Sequence, residues 1–220
     1  MPVPEPKIIR SHRSSISLHI TPQGELVVQA PKLIPYFIIK QFIESKETWI
    51  LKSLEKIKKH TAKTKKFIEG ETFMFLGNSY TLKHDKGIEI LFKESTVYFP
   101  KVMLFRAKKE LENWYIKQAK EKITQRVAYH ALQMKAEYKS ILFSDTSSKW
   151  GTCFADNSLQ FNWRLIMAPL LVIDYVVIHE LAHTKQHNHS QKFWGIVASF
   201  TPAYKQHRKW LSEYGHTLTL

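Results

Sequence analysis

The chain has 220 residues, of which 44% are hydrophobic and 24% are charged. This composition is typical of a folded globular protein and excludes a disordered chain. The formal net charge of +14 favours an anionic partner, such as nucleic acid or an acidic protein, although a basic protein without such a partner would carry the same charge. The single cysteine, Cys153, excludes an intrachain disulfide framework.

The N-terminal half of the chain is rich in predicted strands. Residues 15–20 and 25–30 alternate polar and apolar side chains on either side of Gly24, which predicts a β-hairpin. Residues 36–59 have helical periodicity, which favours two helices that meet near Ser45. Further β-like runs are expected at 72–76, 79–83, 88–92 and 96–99. We therefore predict a β-rich N-terminal subdomain with a helical insertion, residues 1–103.

Lysines are dense between Lys52 and Lys66. Charge runs of this kind are common at solvated helix ends, and few aromatic residues lie between the lysines to stack on bases. A solvated helix end and linker is therefore the favoured interpretation. An anion-binding arm that contacts nucleic acid remains the alternative.

The C-terminal half changes to longer helical patterns. A helix is predicted from about Phe105 to Lys135, and short strands are expected at 141–144, 150–154 and 159–163, the last two forming a hairpin. The apolar run 165–178 contains Pro169 and Asp174 and is shorter than the roughly 20 residues that cross a bilayer. No membrane association is expected. The proline-rich N-terminus lacks the apolar region of a signal peptide, so we expect a cytoplasmic protein.

The segment 178–183 reads Ile-His-Glu-Leu-Ala-His and contains the H-E-x-x-H pattern of metal-dependent peptidases. On a helix, His179 and His183 lie one turn apart on the same face and can bind one Zn²⁺. Glu180 follows His179 on the helix, so its side chain projects in a different direction from the two histidines. It can act on a water as general base without being a ligand. The strongly apolar run before the motif predicts a buried helix, where unpartnered histidines would be unfavourable and a metal would satisfy them.

A catalytic zinc ion usually has three protein ligands and one open position. The candidates for the third ligand, His189, His187 and Glu213, all follow the motif in the sequence. His189 is favoured over the other two. The chain must leave the helix to bring His189 back to the other two histidines. Asn188 is expected to form this turn, because asparagine tolerates left-handed backbone geometry. Ser190 is then expected to cap a new helix that begins at Gln191.

Several segments resemble the YgjP-like metallopeptidase family, which groups predicted zinc-dependent hydrolases of the zincin type. The similarity is strongest from Asp174 through the H-E-x-x-H motif to the Asn-His-Ser sequence at 188–190 and the Phe-Trp pair at 193–194. Upstream, Trp-Gly-Thr-Cys at 150–153 and Asn-Trp-Arg-Leu at 162–165 match the family's W-G-x-C and N-W-x-L segments. Weaker similarity reaches the N-terminal half.

The resemblance implies an α+β fold with a zincin-like catalytic domain, residues 104–220, preceded by the β-rich subdomain. In that domain the H-E-x-x-H active-site helix lies beside a small β-sheet. The resemblance further implies that His179, His183 and His189 bind Zn²⁺, that Glu180 is the catalytic residue, and that the substrate is a peptide or protein. The alternative function is a nucleic-acid-associated protein whose basic surface recruits the metal site to proteins bound to DNA or RNA.

Overall fold

A computed structural model describes residues 3–21, 24–59, 65–146 and 149–220, with backbone only for 56–59. Two compact units are present, Met1–Lys63 and Thr64–Leu220. The sequence predicts a domain boundary at 103/104 instead. The difference arises because the strands between 72 and 100 share one hydrophobic core with the long helix that follows them, as the contacts of Phe73, Val97 and Leu111 show. Which segments fold independently stays a prediction.

The first unit consists of a three-stranded sheet and two helices. Strands β1 (Lys7–Ser11), β2 (Ser17–Ile20) and β3 (Leu26–Pro31) are ordered β1-β3-β2, and the predicted β2–β3 hairpin is confirmed. Helices α1 (Tyr36–Ser45) and α2 (Glu47–Lys59) confirm the predicted break near Ser45. Alternate residues of β3 and residues four apart on α1 form the buried core, as their side-chain periodicities require: Leu26, Val28, Ala30, Ile39 and Ile43.

The second unit begins with a four-stranded sheet. Its strands β4 (Thr72–Phe75), β5 (Asn78–Asp85), β6 (Leu91–Lys93) and β7 (Thr96–Pro100) are ordered β4-β5-β7-β6. Residues 88–90, which the sequence places in a strand, lie before β6 because that strand pairs with β7 only from Leu91 onwards.

The turn between β4 and β5 connects this sheet to the segment before the metal-site helix. Leu76 and Gly77 both have positive φ, as a two-residue hairpin turn requires. Their N–H groups donate to the carbonyls of Ile166 and Met167. A Cβ at Gly77 would lie 2.7 Å from Pro169 Cα, so only glycine allows the turn to approach the chain this closely.

Four α-helices and a second small sheet complete the described part of this unit. Helix α3 (Ala107–Met134) buries one side chain per turn and packs against α4 (Leu170–His183), while α5 (Gln191–Phe200) and α6 (Tyr204–Tyr214) also contact α4. Strands β8 (Ile141–Ser144), β9 (Gly151–Cys153) and β10 (Leu159–Asn162) are ordered β8-β10-β9, which confirms the predicted hairpin and puts β9 at one edge. The fold is a mixed α+β fold, as expected. Within the described part of the chain, none of the helices combines the length and apolar character that crossing a lipid bilayer requires.

A buried ion pair attaches the metal-site helix to α3. Asp174 accepts hydrogen bonds from Arg126, with Nε 2.5 Å from Oδ1 and Nη2 2.9 Å from Oδ2, and His130 Nε2 lies 3.2 Å from Oδ1. Burial alone would raise the pKa of Asp174. The hydrogen bonds from His130 and Arg126, with the charges of both residues, outweigh burial and hold that pKa below its ordinary value. Ionised Asp174 therefore stabilises the packing of α4 on α3.

The Asp174→Asn variant tests this contribution. We expect it to lower the free energy of unfolding at pH 7 by about 1–3 kcal/mol, because Arg126 loses its buried partner. The stabilisation by ionised Asp174 is fully present above about pH 4, which is near the usual pKa of an aspartate in the unfolded chain. It is lost as the pH falls through the lowered pKa of Asp174 in the folded chain. Denaturant titrations at pH 7 and pH 3 should therefore show a smaller difference from the wild type at pH 3. Asp156→Asn, which removes an exposed ion pair with Lys139, is the control and should change stability much less than Asp174→Asn, because solvent screens an exposed pair.

Candidate metal centre

Helix α4 carries the first two histidines of the site. It begins directly after Pro169, whose extended conformation suits the position before a helix, and its residues from Val172 to Ile178 are buried. Because the helix continues through the motif to His183, His179 and His183 lie one turn apart on one face, with ring centroids 5.0 Å apart. Because the buried residues hold α4 in the core, the helix sets the positions of both imidazole rings.

The turn after α4 returns the chain to the two histidines. Asn188 does not have the left-handed backbone that the sequence suggested, since among the described residues it is not one of those with positive φ. Its side chain forms the turn instead: Oδ1 accepts hydrogen bonds from Gln186 Nε2 at 2.7 Å and from the Ser190 N–H at 3.3 Å. Ser190 Oγ then accepts from the Phe193 N–H, which confirms its predicted role as the cap of α5.

This turn brings His189 to His179 and His183. One potential ligand atom from each of the three side chains lies within 4.8 Å of the others, and the Nε2 atoms of His179 and His189 are 3.1 Å apart. The two other candidates for a third ligand are outside this group. His187 is exposed, and Glu213 lies on α6 with its carboxylate 3.8 Å from Lys209 Nζ.

The three rings fit a zinc ion in spacing and in protonation. Ligand nitrogens bound at about 2.0–2.1 Å in a tetrahedral site lie about 3.3 Å from one another, close to the distance between the facing Nε2 atoms. Burial, with the charges of His183, His189 and Arg208 adding, lowers the pKa of His179 to about 3, so its imidazole is neutral and has a free lone pair at neutral pH. His183 Nδ1 lies 3.2 Å from the Gln186 carbonyl oxygen, and donation to that carbonyl leaves Nε2 available to a metal.

Glu180 is buried beside the histidine cluster, with 5% of its surface exposed. Burial raises the pKa of its carboxyl group to about 8, against the opposing effects of a hydrogen bond from the Cys153 N–H and of the Lys149 charge. Gly151 makes room for this side chain. A Cβ at position 151 would lie 2.5 Å from Glu180 Oε1, so any larger residue would displace the carboxylate or the strand. Gly151 has no role that the sequence alone identifies, although a glycine within a predicted strand indicates a close approach.

Glu180 and His179 line an open cleft of about 270 Å³. Residues 149–151 line it at the start of β9, and Leu211 lines it from α6. The edge strand β9 and the helix that carries the motif therefore border the same cleft. The arrangement joins a potential metal site, a buried carboxylate and an accessible strand edge in one place.

The Gly151→Ala variant tests whether this strand positions Glu180. We expect hydrolysis to fall by about 10²-fold while the histidines keep their metal, because displacing a reacting group by about 1 Å can reduce a rate by that factor. Steady-state kinetics and metal analysis of the same preparation measure the two effects. A variant with full activity would show that the contact between positions 151 and 180 has no influence on Glu180.

Gly195→Ala is the matched control, because no atom lies within 4 Å of the Cβ it would add on helix α5. This variant should retain full activity. Its free energy of unfolding should rise by up to about 1 kcal/mol, since alanine is favoured over glycine within a helix.

An α+β fold with two histidines and a glutamate on a buried helix, and a third histidine returned by the following turn, is the arrangement expected of a metal-dependent hydrolase. The chain belongs to the YgjP-like family: the family model described as YgjP-like, metallopeptidase domain, matches residues 14–214. Neither the search of curated proteins nor the search of solved structures returned a match. Membership of this family supports a metal-dependent peptidase.

Proposed function

We propose that the protein is a zinc-dependent peptidase in which His179, His183 and His189 hold the metal and Glu180 is the general base. The observation that carries the proposal is the convergence of the three imidazoles within 4.8 Å, next to the buried carboxylate of Glu180. Three nitrogen ligands leave a fourth position open, as catalytic zinc sites require. A purely structural zinc site would need a fourth protein ligand and would have no use for the carboxylate.

Zinc bound there would lower the pKa of a coordinated water towards about 7 and polarise the scissile carbonyl. The charge of zinc would lower the raised pKa of Glu180 and favour its ionised form, which accepts a proton as the water oxygen adds to the carbonyl carbon. Glu180 then donates that proton to the amide nitrogen as the C–N bond breaks, so the products are a carboxylic acid and an amine. The Cys153 N–H and the space left by Gly151 orient the carboxylate for both transfers.

Strand β9 is suited to hold the peptide. It is an edge strand of its sheet, and residues 149–151 beside it line the cleft. An extended peptide added along such an edge gains main-chain hydrogen bonds that do not depend on its sequence. This placement brings a peptide bond next to Glu180 without requiring a deep pocket.

Hydrolysis of a peptide library by the zinc-loaded protein tests the proposal. We expect mass spectrometry to detect new peptide termini, to lose them after chelation and to recover them when zinc is restored. Cleavage that persists after verified removal of the metal would contradict the proposal. So would the absence of any cleavage by protein that contains one zinc ion per chain.

The nucleic-acid-associated alternative stays a prediction based on the net charge of +14. Residues 60–64 of the lysine-dense run lie outside the described residues, so the structure adds nothing on that segment. Cytoplasmic location likewise stays a prediction.

A further inference from the structure

One face of α6 places a positive charge near the histidine cluster. Tyr204 and Arg208 are one turn apart, and both contact the Trp194 ring: the Tyr204 ring stacks on it at 5.2 Å, and Arg208 Cζ lies 5.5 Å from its centroid. The Trp194 centroid is 5.6 Å from that of His189 and 5.7 Å from that of His179. The guanidinium group of Arg208 is therefore held close to the histidine cluster by an aromatic ring.

A second positive charge lies on the β9 side of the cleft. Lys149 precedes β9 and lines the cleft, whereas Leu211, one turn after Arg208, lines it from α6. Both Lys149 and Arg208 are exposed. Within the described ranges, no carboxylate lies within salt-bridge distance of either one.

The charges near the cleft are unbalanced. The one carboxylate among the described lining residues is Glu180, which is buried and already accepts a hydrogen bond from the Cys153 N–H. A substrate that occupies the cleft beside the histidine cluster meets both cations, and such a field favours anionic groups.

We propose that the cleft selects acidic peptides, with one carboxylate side chain bound by Arg208 on the α6 side and another bound by Lys149 on the β9 side. The proposal rests on the peptidase function and names the substrate class of that site. A peptide suits this surface better than a nucleic acid. The Trp194 ring is already stacked with Tyr204 and His189 and carries Arg208, which leaves little of the ring for a base.

Matched peptides that differ only by Glu or Gln on either side of the cleaved bond test the proposal. For the wild type we expect kcat/KM to be about three- to tenfold higher with each glutamate, as an accessible ion pair allows. Arg208→Gln should remove the preference for glutamate on one side of the cleaved bond, and Lys149→Gln should remove it on the other side. Arg208→Lys should retain most of the preference that Arg208→Gln removes. Lys209→Gln is the control: it removes a cation from α6 that pairs with Glu213, and both preferences should remain.

Equal cleavage of the Glu and Gln peptides by the wild type would overturn the proposal and leave the peptidase function standing. A preference that survives in the Arg208→Gln, Lys149→Gln double variant would also overturn it. If no peptide is cleaved, binding of fluorescent peptides to the zinc-loaded Glu180→Gln variant separates the two questions: tighter binding of the acidic peptide supports the selection, and equal binding overturns it. Stronger competition by a single-stranded oligonucleotide than by the acidic peptide, lost in Arg208→Gln, would overturn it in favour of nucleic acid.

Discussion

Replacing Glu180 by Gln is expected to lower the rate of peptide hydrolysis by about 10²- to 10⁴-fold, the usual contribution of a positioned general base. Glutamine has nearly the same shape and can still accept the hydrogen bond from the Cys153 N–H, so the cleft should keep its form. It has no carboxylate to accept a proton from water. Steady-state kinetics with a cleaved library peptide should therefore show the loss in kcat, with one zinc ion per chain retained by metal analysis.

Glu213→Gln provides the same chemical change at a position outside the histidine group. Glu213 lies on α6 and pairs with Lys209 at the surface, so this variant should keep full activity. If Glu180→Gln were fully active with its metal in place, Glu180 could not be the base. A loss of metal from Glu180→Gln would instead indicate that the carboxylate takes part in holding the ion.

The His189→Ala variant should bind zinc at least about 10²-fold more weakly than the wild type. Even the outer partners of a metal ligand change affinity by about 10- to 100-fold when they are mutated, and here one of three donors is removed. In the wild type the Nε2 atom of His189 lies 3.1 Å from that of His179. Replacing His189 by alanine leaves the site with nitrogens from two histidines only. Competition titration with a chromogenic chelator measures the affinity directly.

His187→Ala is the control for that experiment. The residue is an exposed histidine in the same turn but outside the cluster, so its removal should leave zinc affinity unchanged. The reverse pattern, with affinity lost in His187→Ala and kept in His189→Ala, would assign the third ligand to His187. If both variants kept one zinc ion per chain, Glu213 would be the remaining candidate for the third ligand.

The helix that carries the motif could be predicted because its signals are local. The apolar run up to Ile178 predicts a buried helix, and the spacing of His179 and His183 places both rings on one face. The cap at Ser190 is local in the same way and was also predicted. Selection of His189 over His187 as the third candidate drew on family resemblance as well as spacing, and the observed cluster contains the favoured residue.

Other features depend on contacts between distant segments, which local patterns do not contain. The approach of Gly151 to Glu180 joins a strand and a helix that are far apart in sequence, and the sequence indicated only that a strand contained a glycine. The turn before His189 also differs from expectation, because the amide of Asn188 bonds two neighbours and no left-handed residue is needed. The packing of β4–β7 and α3 in one core is likewise a contact between segments that local patterns do not contain.

His179, His183 and His189 are proposed to bind one zinc ion beside Glu180. Diffraction data collected on both sides of the zinc absorption edge, from crystals grown with zinc, locate the ion. We expect one strong anomalous peak per chain, within about 2.0–2.1 Å of a nitrogen from each of the three histidines. A peak bound instead by His187 or Glu213, or no peak between the three rings in protein that contains zinc, would contradict it.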